Sequence, residues 1–403
     1  MPQFTRREFN GLVVALGAQR SRLFGGELSI DTVLAKGVKD RGIPAVAAVA
    51  GTATSTTYSG AFGTRDSESG VAVTSESIFA IASMTKAITS VAAMQLVEQG
   101  KLALDDPASK HLPELGTLQV LDGFDDSGKP KLRPPKTVVT LRQLLTHTSG
   151  FAYDIWHESI FRFTSSGGDA THVLAFDPGT NWQYGPSTFW AGRLVEAVSG
   201  EDLETYFQRN VLGPLGMKDT SFVVPKEKFE RLVGRYQRAA NGSLHAEART
   251  MPVRASVYRG DGGLFSTAPD YLKFAQMILR KGAGPGRERV LKEKTVAQMS
   301  VNGTGRMAAG RLKTCRPPMS KDVDFHPGHD DRYTLGFLMN PERIPGGRSA
   351  GSLAWAGLYN TYYWIDPKSG VTGVIMMQFL PFADEKAVDL LDDFQRAVYA
   401  RRA

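Results

Sequence analysis

The segment Ser77–Gly100, SIFAIASMTKAITSVAAMQLVEQG, decides how the rest of the chain is read. It is a nearly unbroken apolar run closed by a glycine, and it reads as one buried helix over 77–100. Near its start stand an alcohol, Ser83, and an amine, Lys86, three residues apart and so on one helical face. A serine in the first turn lies beside unpaired backbone N–H groups and the positive end of the helix dipole, which can stabilise an oxyanion on an attacked carbonyl. Ile78, Ala80, Ile81, Ala82, Met84, Ala87 and Ile88 surround the pair. Burial disfavours an ammonium, so the pKa of Lys86 is expected to fall. A neutral amine beside a hydroxyl can take its proton and make serine a nucleophile. The bare Ser-x-x-Lys pattern arises by chance about once in a chain of this size. The competing reading is an N-capping serine followed by a solvated lysine.

Composition narrows the classes. The 403 residues carry a net charge of +7, but Lys and Arg are scattered among acids with no run of five, so no nucleic-acid stripe stands out. The single cysteine, Cys315, excludes an internal disulfide and a cysteine-based zinc site, and LKTCRPPMS offers it no activating partner. No apolar run is long enough to cross a bilayer. The N-terminal stretch TRREFNGLVVALGAQRSRLFGG, with Arg6-Arg7 before an apolar run from Leu12 to Ala18, resembles a twin-arginine export signal. The run is short, Arg20 and Arg22 follow at once, and no Ala-x-Ala site appears. A cytoplasmic chain is therefore the first expectation and export the second.

Along the chain, Ile30–Pro44 reads as a helix, and AVAAVAGTATSTTYSGAFG as two strands and a turn. LALDDPASKHLPEL reads as a helix-and-turn connector, and DGFDDSGKPKLRPPKT as a polar, Pro-rich loop. Helices are expected from Leu141 to just before Thr148, over Thr188–Gly200, over Leu203–Leu212 and over about Glu385–Arg401. SLAWAGLYNTYYWIDP and VTGVIMMQFL read as strands. Strands at both chain ends suggest one sheet with the middle inserted as a lobe. The expected division is an N-terminal extension at 1–26, an α/β lobe at 27–105 and 255–403, and a mainly helical lobe at 106–254.

Two further segments can complete a serine–lysine centre. DPGTNWQYGPSTFWAGRLVEAVSG sets Tyr184 in a tight turn before a helix, and SLAWAGLYNTYYWIDP holds Trp355-Ala356-Gly357 at a strand pair. With SMTK at 83–86, YGP at 184–186 and WAG at 355–357 in that order, the chain resembles the serine β-lactamase and penicillin-binding protein superfamily, in its family VIII carboxylesterase branch. LRQLLTHTSGF at 141–151 and GDGGLFSTAPDYLKFAQMI at 260–278 support the likeness, which spans about Ile30 to Arg401. The resemblance implies an α/β (α+β) fold, an antiparallel sheet flanked by helices plus an inserted mainly helical lobe. It implies Ser83 as nucleophile, with Lys86 and Tyr184 sharing the acid and base roles. The oxyanion hole would use the backbone N–H groups of Ser83 and Leu358. Tyr153, Trp355 and Gly357 would face the substrate. A phenol beside a partly charged Lys86 is expected to titrate lower than usual.

Two departures bear on substrate. Penicillin-recognising relatives carry a lysine where Trp355 stands, and many carry an asparagine where Pro186 stands, which can donate nothing. Both changes remove polar recognition and add apolar surface. The expected function is a serine carboxylesterase for esters with apolar acyl or alcohol groups, acting through an acyl-enzyme on a small-molecule ester, with no metal or organic cofactor. The alternatives are an acyltransferase using the same acyl-enzyme, since residues 121–151 are similar to the fungal statin side-chain acyltransferases, a weak β-lactamase or D-amino-acid peptidase, and a non-catalytic binding protein. GRSAG at 347–351 fits the α/β-hydrolase elbow in letters, but no strand leads into Ser349 and no helix follows. DVDFHPGHDD at 322–331 fits no familiar metal-ligand spacing and reads as a solvated loop. His147 reads as structural, hydrogen-bonded to backbone.

Overall fold

The computed structural model describes residues 29–286 and 288–401. The Arg6-Arg7 segment and the extension at 1–26 lie outside them. Helix α1 (Ile30–Arg41) starts at Ser29, whose Oγ accepts from Thr32 N–H at 3.2 Å, and stops at Gly42 with φ 59°. Strands β1 (Ala45–Gly51) and β2 (Thr56–Gly63) follow, then the central helix α2 (Thr85–Glu98). The middle of the chain supplies α3 (Leu141–Thr146) and α4 (Ser187–Ser199), and α5 (Ala268–Leu279) leads back to the sheet. The C-terminal part adds β3 (Arg332–Tyr333), β4 (Leu338–Asn340), β5 (Ser352–Gly357), β6 (Thr361–Asp366), β7 (Val371–Met376) and α6 (Glu385–Ala400).

These strands form a seven-stranded sheet in the order β3-β4-β5-β6-β7-β1-β2, antiparallel at every step. The join between chain ends is β1 on β7, with Val49 opposite Val374. Neighbouring side chains on a strand point to opposite faces, and β6 shows what each face packs on. Tyr363 meets Tyr271 of α5 at 4.9 Å between ring centroids, while Trp364 meets Phe394 of α6 at 5.5 Å. Helices therefore lie against both faces, and every residue of β5, β6 and β7 is buried.

The 77–100 segment departs from a single helix. Phe79–Ala80 pairs antiparallel with Phe265–Ser266, Ala82–Met84 forms a 3-10 turn, and the α-helix begins only at Thr85. A short apolar run serves a buried strand as well as a buried helix, so periodicity alone cannot place that boundary. Every residue of α2 from Thr85 to Leu96 is buried, as expected for a helix that is apolar all round.

Two other expectations change. The stretch 119–133 is a hairpin, Gln119–Phe124 against Pro130–Arg133, rather than a loop. Asp125 makes its turn by accepting N–H bonds from Ser127 and Lys129, both at 2.9 Å, which brings the polar arms together. The connector after Leu102 holds two 3-10 turns, Ala108–Lys110 and Pro113–Gly116, and no α-helix. Helix α3 is only six residues long and is opened by a capping box, with Thr140 Oγ1 accepting from Gln143 N–H at 3.3 Å and Gln143 Oε1 from Thr140 N–H at 2.9 Å. Thr140→Ala removes one arm of that box and is expected to cost about 1 kcal/mol, read as a lower urea midpoint at unchanged slope.

Candidate active site

Ser83 sits in the 3-10 turn at the head of α2. The residue before it, Ala82, has φ 42°, a left-handed conformation that an alanine adopts only under constraint from its surroundings. The constraint is visible on both sides. Gly262 lies against the Ala82–Ser83 peptide, and Gly357 closes β5 on the carbonyl of Ile81. A Cβ on Gly357 would stand 2.2 Å from that carbonyl oxygen, so this strand end reaches the serine turn only as glycine. Leu358, the next residue, is partly buried beside it.

Lys86 is 1% exposed, and its amine makes three short contacts. Nζ lies 3.2 Å from Ser83 Oγ, 3.0 Å from the Tyr153 hydroxyl and 2.5 Å from the main-chain carbonyl of Asp261. A neutral amine has two N–H donors and one lone pair. The Asp261 carbonyl can only accept. Tyr153 passes its own proton to Asp261 Oδ2 at 2.5 Å, so its oxygen accepts from the lysine too. With both donors used, the lone pair is left for the Ser83 O–H. Burial pushes the amine down to about 7, against the charge of Asp261, which raises it; Arg259 adds a smaller push downward. Lys86 is therefore substantially neutral at neutral pH and aimed at the serine.

Tyr184 enters from the turn before α4. Its neighbour Gly185 lies on the backbone at Phe151–Ala152, where a Cβ would come 2.4 Å from the Phe151 carbonyl oxygen. Tyr153 N–H donates to the Tyr184 carbonyl at 3.2 Å, which ties the two tyrosine segments together. The phenol of Tyr184 contacts the Ser83 hydroxyl and accepts from Trp355 Nε1 at 3.0 Å. The Lys86 amine stands 4.8 Å over its ring centroid. The expected fall in the phenol's pKa is reversed. Full burial raises it, and hydrogen bonding with Ser83 and Trp355 only partly offsets that. Tyr184 is thus a neutral O–H donor, and Lys86 is the group whose pKa suits a base.

Trp355 carries more than an apolar wall, since its indole N–H orients the Tyr184 oxygen. Asp261 and Arg259 were not singled out from sequence, yet Asp261 touches Lys86 through its carbonyl and Tyr153 through its carboxylate. The available signal was an acid inside the glycine-rich GDGGLFST. His147 is fully buried, with its ring 4.8 Å from that of Tyr184. Its main chain bonds to Gln143 and Gln183, but its ring Nδ1 has no partner among the described residues, and burial holds the imidazole well below its usual pKa. In the 322–331 loop His326 and Asp331 are a buried pair 2.7 Å apart rather than solvated side chains. Among the described residues no group of His, Cys, Asp and Glu could hold a metal ion. Ser349 lies in the turn before β5, with Oγ 2.8 Å from Ser369 Oγ. Cys315 is partly buried, and burial raises its thiol.

A beta-lactamase family model matches residues 30–397. The monacolin J acid methylbutanoyltransferase of Aspergillus terreus is 30% identical over 351 residues, covering 80% of this chain and 81% of the relative. The lovastatin esterase of Penicillium rubens is 32% identical over 347 residues, covering 81% of this chain and 86% of the relative. Among solved structures, a variant of the simvastatin synthase of Aspergillus terreus superposes with a TM-score of 0.80 at 29% identity, covering 92% of this chain and 94% of the other. The fold expected from the three motifs is the fold found.

If neutral Lys86 takes the serine proton, the acylation rate rises with pH as the amine loses its own. Below about 7 the rate should fall close to tenfold per pH unit. Single-turnover acylation by a nitrophenyl ester across pH 5–9, a range of about four units, checks this. A flat profile contradicts it.

Proposed function

The chain belongs to the beta-lactamase family, and from that premise we propose that it is a serine carboxylesterase working through an acyl-enzyme on Ser83. The observation that carries this reading is the Ser83–Lys86 contact at 3.2 Å, with the amine buried and brought to about 7. Lys86 takes the Ser83 proton as Oγ attacks the ester carbonyl. The oxyanion that forms is met by the backbone N–H groups of Ser83 and Leu358. As the C–O bond breaks, Tyr184 gives its proton to the departing alcohol. The phenolate left behind keeps the Trp355 N–H and faces the Lys86 ammonium, which returns the proton. Water then enters in place of the alcohol and reverses the sequence, with Lys86 as base.

The substrate class follows from what the site lacks. Trp355 offers an indole and no charge where a carboxylate-binding lysine stands in penicillin-recognising relatives, and Pro186 offers no donor. Esters with apolar acyl or alcohol parts suit those walls better than β-lactams or peptides. Gly357 lets the strand end approach the serine, and Tyr153 lies beside the amine. A second reading, acyl transfer to an alcohol, has specific support. One relative named above is an esterase and another an acyltransferase, at nearly the same identity. The same acyl-enzyme serves both, and the outcome depends on whether water or an alcohol reaches it first.

Intact mass after brief exposure to an activated ester should show one acyl adduct on the wild type and none on Ser83→Ala. Adding candidate alcohols then separates hydrolysis from transfer by the product formed. Tyr184→Phe should lose on the order of 10²-fold on alkyl esters, whose leaving alcohols need a proton. It should lose much less on nitrophenyl esters, whose leaving group does not. Equal losses on both would remove Tyr184 from the acid role.

A further inference from the structure

Outside the motifs, one charged cluster reaches the reacting amine. The Asp261 carboxylate is 3% exposed and accepts three hydrogen bonds from two residues. Arg259 clasps it through Nε at 3.0 Å and Nη2 at 2.8 Å, and Tyr153 donates to it at 2.5 Å. The same residue's main-chain carbonyl takes the Lys86 N–H at 2.5 Å. The loop carrying it is fastened to α2 on both sides. Thr89 Oγ1 donates to the Gly260 carbonyl at 2.6 Å, and Thr85 Oγ1 accepts from Leu264 N–H at 3.2 Å. Arg259 is half-exposed at its far end, with the guanidinium 4.9 Å over the Phe189 ring of α4. A full negative charge is thus held beside a buried amine, and a full positive charge is held on that negative one.

We propose that Asp261 and Arg259 act as a positioning pair: Asp261 holds Lys86 and Tyr153 in the geometry that turns the lysine lone pair to Ser83, and Arg259 balances the charge that Asp261 would otherwise impose on the amine. This inference rests on Lys86 being the base. The reason for two residues is electrostatic. A carboxylate alone in a dry site would favour the ammonium and stop Lys86 from accepting a proton. A carboxylate neutralised by a guanidinium keeps its hydrogen bonds while exerting little net field. The other titratable groups facing the amine are Tyr153 and His147 from the segment around α3 and Tyr184 from the turn before α4. Burial holds all three neutral, the phenols by pushing them up and the imidazole by pushing it down. The balance therefore lies between Asp261 and Arg259.

The pair has a signature that a purely structural role lacks, because its two halves move the pH dependence in opposite directions. Arg259→Gln leaves Asp261 unbalanced, so the acid limb of single-turnover acylation should move to higher pH by about one unit. Arg259→Lys keeps the charge and should restore the limb most of the way. Asp261→Asn removes the negative charge, keeps the main-chain carbonyl and an acceptor for Tyr153, and should move the limb to lower pH. Its limiting rate at high pH should also fall, because an amide oxygen holds Tyr153, and through it the amine, less firmly than a carboxylate does. Arg259→Gln changes a half-exposed side chain, so it remains an informative variant even where Asp261→Asn folds poorly. Limbs that stay in place in both variants, or move the same way, overturn the pair. A wild type with no limb near neutral pH overturns instead the reading of Lys86 as base.

Discussion

The site depends on a lysine amine that has been taken out of water. Of the groups around it, Tyr184 and Tyr153 are pushed above the usual phenol range, and His147 is held neutral with its ring turned to aromatic rings. The burial is a property of the fold. Helix α2 is buried at every residue from Thr85 to Leu96, so a lysine in its first turn is held away from solvent. The cost of burying the amine falls on the whole protein, and the packing of α2 against α4 offsets it. A reactive centre of this kind needs a large core around it.

Three segments far apart in sequence meet around the Ser83–Lys86 pair, and each is held by backbone geometry. The Tyr184 turn lies on the Phe151–Ala152 backbone and bonds to Tyr153. The 260–264 loop is pinned to Thr85 and Thr89. Strand β5 ends on the Ile81 carbonyl. Ser83 follows a left-handed Ala82, so this serine sits on backbone that its neighbours constrain. The side chains that would do chemistry are thus placed by main-chain contacts, which vary less than rotamers do.

Much of this was legible in the sequence, for physical reasons. The β5, β6 and β7 runs are buried on both faces and so read as continuous apolar strands. Ser83 and Lys86 are local, and a spacing of three brings them together where the 3-10 turn runs into α2. Helix ends at Gly42 and Gly200 carry the left-handed glycines that stop a helix. Other features were hidden because they depend on partners distant in sequence. Phe79–Ala80 is a strand only because Phe265–Ser266 lies beside it, and the hairpin at 119–133 depends on one aspartate gathering a turn. The sign of the Tyr184 shift followed from burial outweighing two hydrogen bonds, a balance that letters do not reveal. The link from Asp261 and its neighbour Arg259 to Tyr153 spans more than a hundred residues and has no periodic signature.

The central claim concerns the protonation of one amine, and it can be observed without any substrate. Protein carrying lysine labelled with carbon-13 at Cε, compared with Lys86→Met to assign the signal, gives the titration of Lys86 directly by NMR. A midpoint near 7, well away from the ordinary 10.5 shown by surface lysines, is the result expected of a dry amine facing Ser83. A Lys86 signal that titrates with the surface lysines would contradict the account.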